Sequence, residues 1–317
     1  MKSQHGVALI TVLVMVALAT IVAASIMKRQ AYTRDNTAYM LRQNQASLYV
    51  QSAEAFAAEL LVQDSENAAV ADYLQESWAK PLPPFPVEDG FVSARILDDA
   101  GKFNLNGLLK ADGTPDENSK VLFEQLLVRV GLPAELSQSV IDWQDHDDLT
   151  IGAMGAENNY YRGLGRGVQA ANAPFNAIEE LKQVRGFEGK NYDLIAPYIA
   201  ALPEISTKIN INTASAEVLA SLSAKLDLNS IQTLLQNKQK NLEYFASVDE
   251  LLKLAPFDTL DAETKGRAAQ LFDVKSNYFK IQVEVVLSGR TRQLQSSVLR
   301  KDREVVVYAR STAPFVF

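Results

Sequence analysis

Met1-Lys-Ser-Gln-His-Gly6 leads into Val7-Ala-Leu-Ile-Thr-Val-Leu-Val-Met-Val-Ala-Leu-Ala-Thr-Ile-Val-Ala-Ala-Ser-Ile-Met27, a run of 21 residues without a charge. As an α-helix this run spans about 30 Å, the thickness of a bilayer's hydrocarbon core. Lys2 precedes it, and Lys28 and Arg29 follow it. A cleaved secretory signal has a shorter apolar core that ends in small residues, which Ala23-Ala24-Ser25 imitates. A membrane anchor accounts better for the length. No glycine or proline interrupts the chain from Val7 through Trp78. The pattern therefore predicts one helix to about residue 65, with room for a short second one. Lys80-Pro-Leu-Pro-Pro-Phe-Pro86 then breaks it as a stiff extended connector.

Beyond the connector, Phe91–Leu97 alternates as a strand, Asp98-Asp-Ala-Gly101 is a turn, and Lys102-Phe-Asn-Leu-Asn106 is expected to return as its hairpin partner. The chain also ends in strands, from Tyr278 to Tyr308, while residues 107–275 carry mostly helical signals. The expected class is α+β: a long helix, a small antiparallel sheet and a large α-helical insertion. The segments are 1–6, a leader; 7–27, the membrane helix; 28–79, the rest of the stem; 80–106, the first sheet part; 107–275, the insertion; and 276–317, the second sheet part. Phe175–Phe187 aligns without gaps onto Phe245–Phe257, with Phe at each end and an acidic pair between. Two similar capped helices are the expected explanation.

Composition narrows the function. The 31 basic and 38 acidic side chains leave a net charge of −7, which argues against phosphate neutralisation as the main task. With no cysteine, disulfides, thiol catalysis and thiolate-bound metals are excluded. His146 beside Asp147 is the one base candidate, and no nucleophile motif accompanies it, so an enzyme is not expected. Lys208–Ala220 resembles the start of a helix-hairpin-helix module, with Asn212 or Thr213 as cap, but lacks the glycine-rich hairpin that would hold a phosphate. A packing motif is expected there, and no nucleic-acid partner.

The acidic stretch carries the clearest chemistry. Asp142, Asp145, Asp147 and Asp148 lie close together, followed by Glu157 and Asn158. Calcium takes six to eight oxygens from such a flexible loop. The spacing is not that of an EF-hand, since Thr150 and Ala156 fall where that loop needs Gly and Glu. From spacing alone, a calcium loop and a solvated acidic turn are about equal. Trp143, Tyr160 and Tyr161 tilt the reading toward an ordered loop, whose clustered carboxylates require a cation.

The short leader ending in Gly6 before an apolar helix resembles that of type IV pilin-like proteins. Together with Thr11 at the fifth position after it, Lys102–Asn106, Asp142-Trp-Gln-Asp-His-Asp147, Gly155-Ala-Glu-Asn-Asn-Tyr160 and Ile209-Asn-Ile-Asn-Thr213, it resembles the minor pseudopilins of type II secretion, general secretion pathway protein K. That resemblance spans essentially the whole chain. It implies a pilin-like fold and cleavage by prepilin peptidase between Gly6 and Val7, with methylation of Val7. It also implies a place at the pseudopilus tip with I- and J-type minor pseudopilins and the major pseudopilin. The expected location is the inner membrane, crossed once, with the C-terminal bulk in the periplasm. Implied too is a role in starting pseudopilus assembly and exporting folded proteins, with secreted proteins as further partners. Thr11 replaces the usual Glu, and its hydroxyl satisfies itself on its own helix. Carried over as Ca²⁺ ligands are Asp145, Asp147 and Glu157, with Asp142, Asp148, Asn158 and Asn172 secondary. Asn158 stands where an acidic residue is usual and offers only a neutral oxygen. A minor pilin of a type IV pilus or DNA-uptake apparatus is the alternative.

Overall fold

The computed structural model describes residues 5–66, 70–165 and 167–315; residues 1–4 of the expected leader lie outside them. The stem is one helix, α1 (His5–Glu66), about 93 Å long at 1.5 Å per residue. Its hydroxyls turn back on the helix: Thr11 Oγ1 donates to the Val7 and Ala8 carbonyls, and Thr20 and Ser25 each to the carbonyl four residues earlier. From Val7 to Met27 every side chain is exposed, so this span meets the length and hydropathy of a membrane crossing. Farther along, Ala46, Val50, Ala57 and Leu61 are buried on one face, their spacing following the helical period.

That face packs on a five-stranded antiparallel sheet made of β1 (Phe85–Val87), β2 (Gly90–Asp98), β7 (Tyr278–Leu287), β8 (Arg290–Lys301) and β9 (Glu304–Ser311), in that order. Alternate residues of the central strand, Phe279, Ile281, Val283, Val285 and Leu287, are buried with the stem face and Trp78 in one core. Gly90 is required where β2 meets β7, because a Cβ there would lie 1.7 Å from the Val286 carbonyl oxygen. Lys102–Asn106 does not return along β2 as the sequence suggested. β1 takes one edge of β2, and β7 pairs with the other over its whole length, from Gly90 opposite Leu287 to Asp98 opposite Phe279. With both edges filled, Phe103–Asn104 forms a short strand β3 and pairs in parallel with β4 (Ile199–Ala200) inside the helical block.

That block occupies the chain between β2 and β7. It contains α2 (Glu117–Arg129), α3 (Leu136–Gln144), α4 (Asn158–Gly163) and α5 (Lys190–Ile195), then β5 (Ile209–Asn210), α6 (Ala216–Ala220), α7 (Leu228–Lys240), α8 (Val248–Leu252), α9 (Ala262–Leu271) and β6 (Phe272–Asp273). The sequence echo is the visible part of a duplication. Lys102-Phe-Asn-Leu-Asn106 and Lys208-Ile-Asn-Ile-Asn212 open equivalent units, and each opening strand pairs in parallel with the unit's last, β3 with β4 and β5 with β6. In the first unit the Asn106 side chain accepts from the Phe175 amide at 2.7 Å and donates to its carbonyl at 2.9 Å. In the second, Asn212 treats Phe245 the same way, at 2.7 and 3.0 Å. Leu181 and Leu251, and Phe187 and Phe257, occupy matching fully buried positions. Because Asn212 holds Phe245 and Thr213 donates to Asp98, neither caps α6; Ser215 does, accepting from the Val218 amide.

The block joins the stem and sheet at the end far from the apolar run. Contacts advance in step, from Gln43 with Arg292, through Glu54 with Ser296, to Asp64 with Arg300. At that far end buried Asp72 pairs with Arg300, and Asp98 accepts from Ser276 and from Thr213 of the second unit.

Candidate metal centre

α3 ends where the acidic stretch begins. Its last turn carries Asp142, which is fully buried and accepts from the Ile151 amide at 3.2 Å. Gly155 allows the loop to come this close: a Cβ there would lie 2.4 Å from Asp142 Oδ2. Asp145 is the residue that terminates α3, and Glu157 precedes α4 without bonding any amide of that helix. One carboxylate oxygen from each of Asp142, Asp145 and Glu157 lies within 4.8 Å of the others, and all three residues are buried.

Burial pushes Asp145 and Glu157 up to about 7 and Asp142 to about 6. Desolvation is the largest cause in each case. Asp142 and Asp147 add repulsion at Asp145, and Asp142, Asp145, Asp148 and Asp147 add it at Glu157. The hydrogen bonds give the decisive observation. Asp145 Oδ1, both Glu157 carboxylate oxygens and Asn172 Oδ1 are buried without a hydrogen-bond partner. An unsatisfied buried polar atom costs on the order of 1–3 kcal/mol, and more when charged. Four orphaned oxygens supplied by a loop, three of them on carboxylates, fit a hard divalent cation such as Ca²⁺.

A second acidic group, Asp64, Asp72 and Glu76, is just as tight but lacks that signature. Arg300 pairs with Asp64 and Asp72, and Glu76 accepts from the Tyr73 amide and Trp78 Nε1. The protein itself satisfies those carboxylates.

Asp147 and Asp148 stand exposed, outside the buried trio. Asp147 accepts from the Leu149 amide at 2.7 Å, and Asp148 from Asn158 Nδ2 at 3.0 Å. Asn158 Oδ1 in turn accepts from the Ala170 amide, so this residue ties the loop's two arms together. Asn172 has a left-handed backbone (φ 46°), and its amide donates to the Trp143 carbonyl at 2.9 Å. His146 is exposed.

The aromatic anchors are in place: Trp143 meets Tyr161 edge-on at 5.3 Å, and Tyr160 meets Tyr161 likewise. Two further side chains, outside the acidic motif, support the loop. Arg185 donates to the Gly155 carbonyl at 2.9 Å and lies 4.8 Å over the Tyr160 ring, while Gln138 accepts from the Met154 amide. The repeat itself held the signal for Arg185, since Ala255 stands at its counterpart in the second unit.

Comparison with known proteins bears on the whole chain. Residues 101–204 and 209–275 each match a family described as type II secretion system protein K. Type II secretion system protein K of Pseudomonas aeruginosa is 34% identical, the match covering 98% of this chain and 93% of that one. The Aeromonas hydrophila protein of the same description is 30% identical, covering 98% and 97%. Among solved structures, a chain of the GspK–GspI–GspJ complex from the enterotoxigenic Escherichia coli type 2 secretion system superposes with a TM-score of 0.78 at 24% identity, covering 88% of this chain and all of that one.

Proposed function

Since the chain belongs to the type II secretion system protein K family, we propose that it is a minor pseudopilin that sits at the pseudopilus tip and helps start assembly and the export of folded proteins. The observation that carries this reading is the helical block at the membrane-far end of the stem, joined there through Arg300, Asp72 and Asp98. Bulk in that place obstructs stacking of another subunit above, while the apolar stem below remains free to pack among similar stems. Its role is structural, not enzymatic. The stem crosses the inner membrane once with the block in the periplasm, and prepilin peptidase cuts between Gly6 and Val7, leaving a methylated Val7. I- and J-type minor pseudopilins and the major pseudopilin are its partners. The matched complex, named for GspK, GspI and GspJ, supports the first two.

Calcium belongs to this reading. Asp142, Asp145, Glu157 and Asn172 would hold it, and the ion would supply positive charge to oxygens that otherwise repel one another. Gln138 of α3, Asn158 and Arg185 hold the loop backbone around that position.

Expression in cells lacking their own protein K tests the proposal. Restored export, together with a mature chain beginning at N-methyl-Val7 by mass analysis, is expected. Retention of residues 1–6 in the presence of active peptidase, or failure to restore export, overturns it.

A further inference from the structure

Three arginines from distant parts of the chain converge on one cleft of about 620 Å³ between the stem and the β7–β8 hairpin. Tyr39, Arg42 and Gln43 line it from the stem, and Arg290 and Arg292 from the hairpin. The Arg290 guanidinium lies 4.8 Å over the Tyr39 ring, and Arg292 Nη1 donates to Gln43 Oε1 at 3.3 Å. Among the described residues Arg42 has no hydrogen bond or ion pair, and none of the three meets a carboxylate. Asp35, the one acid lining the cleft, is exposed and engaged by Arg34 at 3.3 Å. Glu88 and Asp89 in the adjoining turn do not line it. Other arginines of this net-acidic chain are held by the fold: Arg300 pairs with Asp64 and Asp72 and Arg310 with Glu54, while Arg129 and Arg185 donate to backbone carbonyls. Three guanidinium groups around one cavity repel one another, and a carboxylate among them removes the repulsion while gaining bidentate hydrogen bonds.

The height of the cleft selects the source of that anion. Arg42 lies fifteen residues beyond Met27, about 22 Å along the helix axis. A headgroup layer is only about 5–8 Å deep on each side of the hydrocarbon. Lys28 and Arg29 reach lipid phosphates; the cleft stands above them, level with whatever stem runs alongside. We propose that it receives acidic side chains from the stem of an adjacent pseudopilin, the three arginines fixing the register between the two. This inference rests on the filament-subunit reading above.

The test uses the full-length chain in nanodiscs with I- and J-type partners. Arg42→Glu/Arg290→Glu/Arg292→Glu is expected to weaken association about tenfold or more in about 50 mM salt, with the wild type losing a similar amount at about 500 mM. The triple Arg→Lys variant should keep most of the binding and the melting temperature should not change. If the triple reversal does lower the melting temperature, Arg42→Glu alone, on an exposed side chain, decides. Equal association of wild type and variant overturns the proposal. So does a dependence on the arginines seen only in discs of anionic phospholipid and lost in zwitterionic ones, which would make the lipid phosphate the ligand. No association even for the wild type overturns the filament-subunit reading, and the cleft's role with it.

Discussion

The two units of the helical block share an opening strand, an asparagine clamp and buried phenylalanines, yet one contains a cluster of unsatisfied carboxylates and the other none. The difference lies in a single connection. Between α7 and Phe245 the second unit needs only residues 241–244, whereas between α3 and Phe175 the first interposes residues 145–174, the whole acidic loop. The second unit packs without such a loop, so the loop is an addition with a requirement of its own. Its oxygens repel each other in a place the fold does not need to fill, and the proposed cation would turn that liability into a conditional staple.

The largest expected effect falls on what the units share. Phe257→Ala should cost about 3–5 kcal/mol. Chemical unfolding of the variant with and without calcium should show the same loss in both, and a loss confined to one condition would break the equivalence of the units. Next is removal of the cation. At a calcium concentration about one hundred times Kd, chelation should cost about 2.7 kcal/mol. Hydrogen exchange should rise within residues 136–187 and stay unchanged within 209–275. Asp145→Ala should abolish this response to chelator, and Asp147→Ala alone should leave it intact; the reverse pattern would move the site outward in the loop.

Acidity sharpens the contrast by a smaller amount. Folded-state values of about 7 for Asp145 and Glu157 lie above those of unfolded carboxyls. The cation-free folded chain therefore binds protons more tightly than the unfolded one, and these groups lower stability progressively as pH rises from about 4 to about 7. Without calcium, the wild type should lose stability relative to Asp145→Asn/Glu157→Gln between pH 5 and pH 8, and thermal melting of both across that range checks it. The smallest effect belongs to the short connection. Leu242 is exposed in the left-handed region (φ 56°) just past α7, where glycine is the ordinary choice. Leu242→Gly should stabilise by up to about 1 kcal/mol, with no dependence on calcium.

Much of this architecture was legible in residue order because its causes are local. The apolar run, the absence of helix breakers before Lys80, and the alternation in β2 and β7 are properties of adjacent residues. The pairing of β3 was not, because the edges of β2 are taken by strands on either side of it, one of them far along the chain. In the acidic loop the crowding of aspartates was plain, but crowding does not tell which carboxylates face inward. Asp142 is buried by its place in the last turn of α3, while Asp147 caps a turn at the surface. Asn172 comes into play because the returning arm bonds the Trp143 carbonyl.

The position of β7 also sets an order of events. β2 can complete its ladder only after Tyr278–Leu287 has been synthesised, so Ala46, Val50, Ala57 and Leu61 of the stem go without their covering sheet while most of the chain is still being made. The helical units, built from nearer contacts, are able to condense first. During that interval the packing flank of the stem around residues 46–61 lacks the strand that covers it in the finished fold, and it is then that an early companion would protect the newborn chain most.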